Sequence, residues 1–73
     1  MDLQEWATEI GEAYKAACGE RPRFDAVYAI PEEFDKASAE NAALVAIHEQ
    51  MPRAAIEVWV DGHSRLNVRR HPT

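Results

Sequence analysis

The chain has 73 residues, 47% of them hydrophobic, and a formal charge of -5. Thirteen of the hydrophobic residues are alanine and only 14 are Leu, Ile, Val or Phe, so a single thin core is all the chain can build, of the kind that supplies only about 3–5 kcal/mol. No apolar run approaches the length of a membrane span. The acidic, amphipathic N-terminus is not that of a signal peptide, and a lone cysteine points to a reducing, cytoplasmic setting.

The first element is a helix. Leu3, Trp6, Ala7, Ile10, Ala13, Tyr14 and Ala17 recur at helical spacing and mark one face. Asp2 followed by Glu5 is a capping pair, and Gly19 with Pro22 beyond it is a stop. Gly11 lies one turn from Ala7. It is either a tolerated surface glycine or a small spot where another backbone approaches closely.

Residues 24–30 read as a strand between Pro22 and Pro31, with Phe24, Ala26, Tyr28 and Ile30 on one side and Asp25, Val27 and Ala29 on the other. Such an alanine-containing stretch also suits a helix. Pro31, Glu32 and Glu33 resemble a first helical turn, and the second helix is expected to run from there to about Gln50, before Pro52. Its large apolar residues, Phe34, Leu44, Val45, Ile47 and Met51, project onto one arc. Asn41 and His48 fall within that arc, where they would be either buried, bonded polar groups or a small polar pocket under a sheet.

Residues 54–60 alternate, with Ile56, Val58 and Val60 on one side and Ala55, Glu57 and Trp59 on the other. Asp61-Gly62 signals a hairpin, and the return strand covers roughly residues 65–70. Matching apolar to apolar predicts a three-residue loop, Val60-Asp61-Gly62, with Gly62 left-handed. Ile56 then faces Leu66, Ala54 faces Val68, Glu57 faces Arg65 and Trp59 faces His63. The basic end, residues 69–73, is expected to be a flexible tail.

The order helix, strand, helix, strand, strand predicts one two-layer α+β domain spanning residues 1–73. Two helices cover one face of a three-stranded sheet, and a crossover sets the first two strands parallel. The other sheet face is then bare and carries Trp59, Glu57, Arg65, His63, Asn67 and Arg69.

No catalytic motif is present, so the chain reads as non-enzymatic and without a cofactor. Cys18, at a helix C-terminus, is placed as a small packed hydrophobe rather than a nucleophile. A metal site built from His63, His71 and Asp61 has no specific spacing. Charge divides along the chain: residues 1–50 hold 11 acids and four bases, and residues 51–73 hold four arginines against Glu57 and Asp61. Two candidate partner surfaces follow. One is the acidic outward side of the first helix, Glu5, Glu9 and Glu12. The other is the bare sheet face with its continuation, Trp59, Glu57, Arg65, Arg69, Arg70 and His71.

Size, acidity and the lack of a catalytic set make the chain similar, in type rather than in motif, to small anti-CRISPR inhibitors of phage origin and to some antitoxins. The expected partner is therefore a larger protein or complex that this module inhibits or adapts. The alternatives are a nucleic-acid accessory protein using the hairpin and basic end, and a homodimer or other homo-oligomer.

Overall fold

The computed structural model describes residues 1–72. Its elements are α1 (Leu3–Cys18), β1 (Phe24–Ala29), α2 (Lys36–Gln50), β2 (Ala55–Val60) and β3 (Arg65–His71). The fold is α+β, two helices over a three-stranded antiparallel sheet that ends in a β-hairpin.

α1 starts and stops where the capping residues direct. Asp2 accepts the Glu5 N–H at 2.8 Å, and Gly19, at φ 54°, sends its N–H back to the Lys15 carbonyl at 3.0 Å. That positive φ is one an L side chain rarely adopts. The buried stripe is Trp6, Ala7, Ile10, Gly11, Tyr14 and Cys18. Ala13 and Ala17, assigned to the same face from their spacing, are exposed.

α2 begins five residues later than Pro31. Residues 31–34 form a separate turn, closed by the Phe34 N–H on the Pro31 carbonyl at 3.1 Å. Asp35 then caps the helix, its carboxylate accepting from the Ser38 N–H and hydroxyl at 3.0 and 3.1 Å. These bonds hold the Asp35 carboxyl below the usual carboxylate range. Phe34, freed from the helix, stacks at a tilt on Trp6, with ring centroids 5.8 Å apart.

The buried face of α2 is also different from the projected one. Ala39, Ala43, Ala46 and Ile47 are buried, Val45 is 48% exposed, and Asn41 and His48 face solvent. No polar pocket forms around Asn41 and His48. The projected arc leaned on Phe34 and Met51, which lie outside the helix and so do not share its rotation. Close helix packing selects small side chains instead. A Cβ built on Gly11 would stand 2.9 Å from the Ala46 carbonyl oxygen, so Gly11 is the close-approach glycine.

The sheet order is β1-β3-β2, with both neighbouring pairs antiparallel. β1 and β2 therefore run in the same direction, as the crossover argument requires, but β3 lies between them and no parallel ladder exists. β3 pairs Phe24 with Arg70 and Tyr28 with Leu66 on one side, and Val58 with Val68 and Val60 with Leu66 on the other.

The hairpin register thus differs from the expected one by four residues along β3. The parity is right, but Val60 rather than Ile56 faces Leu66, Glu57 faces Arg69 rather than Arg65, and Trp59 faces Asn67 rather than His63. The loop has three residues, Gly62-His63-Ser64, closed by Ser64 N–H to Asp61 carbonyl at 3.0 Å and Asp61 N–H to Arg65 carbonyl at 3.0 Å. Ser64, at φ 57°, takes the left-handed position assigned to Gly62. Asp61 explains the shift, because its side chain organises the turn and draws the loop two residues along. Arg69, Arg70 and His71, expected in a free tail, belong to β3, and Thr73 lies outside the described residues.

The core gathers the α1 stripe, the α2 alanines with Ile47, Ile30, and Leu66 and Val68 from the central strand. Two polar contacts fasten this end of the sheet to α1 and the connection that follows it. The Tyr14 hydroxyl of α1 donates to the Phe24 carbonyl of β1 at 2.7 Å, and Arg70 of β3 donates to the Arg21 carbonyl at 2.9 Å. Burial pushes the Tyr14 phenol up to about 12. Tyr28 is pushed up as well, for the same reason.

Candidate interaction surface

Both helices lie on one side of the sheet, so the outer side has no covering element. Odd-numbered residues of β3 point there, and the register places their neighbours. Three rows cross the sheet: Asp25, Arg69 and Glu57; Val27, Asn67 and Trp59; Ala29 and Arg65, with Asp61 at the turn.

Each charged group in these rows has a partner. The Arg69 Nε lies 3.2 Å from Asp25 Oδ1, and its guanidinium sits over the Trp59 ring, 5.3 Å from the centroid. His71 Nε2 and Glu57 Oε1 are 2.9 Å apart. Asp61 accepts from the His63 and Arg65 N–H groups at 2.8 and 3.1 Å, from Arg65 Nε at 3.1 Å and from Asn67 Nδ2 at 2.9 Å. These donors, Asn67 foremost, hold the Asp61 carboxyl well below the usual carboxylate range.

Val27 has no such cover and is 52% exposed. The result is an aromatic ring, an exposed aliphatic side chain and a fixed pattern of both charge signs on one bare face. Such a surface can dock on another macromolecule. The donors and acceptors are preorganised, and Trp59 and Val27 supply apolar area.

Trp59, Glu57, Arg65 and Arg69 are thus brought together. Arg70 is not with them: it shares the parity of Leu66 and Val68 and points to the helix side, toward the end of α1. Glu5, Glu9 and Glu12 are exposed on the outward side of α1, in the other layer, and do not join the sheet residues. The Glu5 carboxyl is raised above its ordinary value by the charge of Asp2 beside it. His63 and His71 sit at opposite ends of β3, so the trio they would make with Asp61 does not gather. Among the described residues no three His, Cys, Asp or Glu side chains are grouped to hold a metal ion, and no helix is long and apolar enough to cross a membrane.

His71, named from the sequence as part of this surface, does lie on this face beside Glu57, whereas Asp25 and Val27 are members that the sequence did not single out as partner contacts. The alternation of residues 24–30 separated Asp25 and Val27 from Phe24, Ala26, Tyr28 and Ile30 without placing them on the bare face. What it lacked was the adjacency of β1 and β3, which only the fold supplies. Compared with family models, with curated proteins and with solved structures, the chain matches none.

Proposed function

We propose that this chain is a small non-enzymatic protein-binding module, an inhibitor or adaptor that docks on a larger protein through the outer face of its sheet. The observation that carries the reading is that bare face, where Trp59 and Val27 stand in one row between two rows of paired charges. Its partner is a protein surface of mixed charge with an apolar patch. An anti-CRISPR-like or antitoxin-like role in a cytoplasmic setting is the version that size and acidity favour. The nucleic-acid alternative drew on Arg65, Arg69 and Arg70 acting together, and it is weakened by Arg70 facing the helices and by the bonds of Arg65 and Arg69 to Asp61 and Asp25.

The test compares variants for one stoichiometric partner held by the immobilised wild-type chain. Trp59→Ala and Arg69→Glu are expected to release it while circular dichroism is unchanged. Glu9→Lys and Glu12→Lys, on the far side of α1, are expected to retain it. Retention by the sheet variants, or a sedimentation experiment showing a second copy on the sheet face, would overturn the reading.

A further inference from the structure

The two ends of the molecule differ in charge in a way that chain position hides. β3 ends beside the starts of β1 and β2, with Phe24 opposite Arg70 and Ala55 opposite His71. The last turn of α1 and the connections 19–23 and 51–54 reach the same end. Six of the chain's eight cations are therefore there, Lys15, Arg21, Arg23, Arg53, Arg69 and Arg70, against the acids Glu20, Asp25, Glu49 and Glu57. The opposite end holds the starts of both helices and the hairpin loop, with Asp2, Glu5, Glu32, Glu33, Asp35 and Asp61. Contact between Trp6 and Phe34 fixes the start of α1 at that end.

At the basic end an open groove of about 430 Å³ is lined by Lys15, Gly19, Met51, Pro52, Arg53, Ala54 and Arg70. Its lining includes three cations and no carboxylate. The ion pairs among the described residues are those of Arg65, Arg69 and His71, so none of the three groove cations is paired with a described acid. Arg70 is held by the Arg21 and Gly19 carbonyls at 2.9 and 3.5 Å and by the Cys18 sulfur at 3.5 Å. These neutral groups fix its position without cancelling its charge. Lys15 and Arg53 are exposed.

We propose that this groove is an anion site that takes a compact phosphate compound, a phosphate monoester or diphosphate. Three converging cations call for a multiply charged ligand, and two arginine forks match phosphate oxygens. Met51, Pro52 and Ala54 give the ligand an apolar wall. A compact ligand is required because the rest of the chain is acidic. An extended polyanion leaving the groove would meet the net charge of -5. This site is separate from the sheet face, and its failure would leave the docking proposal intact.

The experiment is a titration of the protein with inorganic pyrophosphate at low ionic strength, followed by calorimetry and by amide chemical shifts. Binding is expected, with shifts centred on Gly19, Ala54 and Arg70 and an affinity that falls with added salt. Lys15→Glu and Arg53→Glu, at exposed positions that leave the fold intact, are each expected to weaken binding about tenfold or more. Lys36→Glu makes the same change in net charge at the other end and is expected to leave binding unchanged. Absence of binding, an equal loss in Lys36→Glu, or tighter binding of a single-stranded oligonucleotide than of pyrophosphate would each overturn the proposal.

Discussion

The two sides of β3 are built by opposite physics from adjacent residues. Leu66 and Val68 are 0% and 1% exposed and face the helices. Arg65, Asn67 and Arg69, one step along, lie on the open side in a web of ion pairs and hydrogen bonds. Burying a full aliphatic side chain stabilises by about 1.5–3 kcal/mol, whereas an exposed ion pair contributes about 0–1 kcal/mol. The inner side therefore carries the stability of the domain, and the outer side is free to carry recognition. The thin core inferred from composition is thin because it is one-sided.

Substitutions can break or sharpen that contrast. The largest loss is expected from Leu66→Ala, about 2–5 kcal/mol in chemical denaturation, a large fraction of what so small a core supplies. Gly11→Ala comes next. Alanine gains up to about 1 kcal/mol in helix propensity, yet its Cβ meets the Ala46 carbonyl at 2.9 Å and α2 must move. A net loss of about 1–3 kcal/mol is expected, and a gain in melting temperature would show that the helices are not in close contact.

Tyr14→Phe is expected to cost about 1 kcal/mol, by leaving the Phe24 carbonyl without its donor. The same residue gives a pH signature. Its phenol ionises near 10 when unfolded and is pushed up to about 12 in the fold. Its contribution is therefore complete below pH 10 and lost as pH rises toward 12. Denaturation midpoints measured across that range should fall more steeply for the wild type than for Tyr14→Phe. The smallest effect is expected for Arg69→Ala, under about 1 kcal/mol in stability, although partner binding is expected to be lost. A large stability loss there would mean that the outer face helps to hold the fold.

The order and type of all five elements could be read from periodicity and capping, because each has its own apolar rhythm and the loops carry Gly, Pro and Asp at their ends. The inward parity of β2 and β3 was legible for the same reason. The register was not, since parity fits several alignments equally and the choice lay in the hydrogen bonds of one aspartate. The face of α2 was missed because alanine carries little weight in a hydrophobic projection, although small size is what the contact with Gly11 demands. Of the candidate surface, Trp59, Glu57, Arg65 and Arg69 could be found by parity alone. Asp25 could not be placed beside Arg69, from which 44 residues separate it, until β1 was known to flank β3.

The placement of β3 has a consequence for how the molecule comes into being. β3 follows β1 and β2 in the chain yet stands between them in the sheet, so neither outer strand has a hydrogen-bonding neighbour until residues 65–71 arrive. On a ribosome the helices can begin to form early, but the sheet must wait for its middle. Until then β1 and β2 are solitary strands with nothing between them, and the interval before β3 emerges is when the chain is most exposed to chaperones, proteases and its own copies.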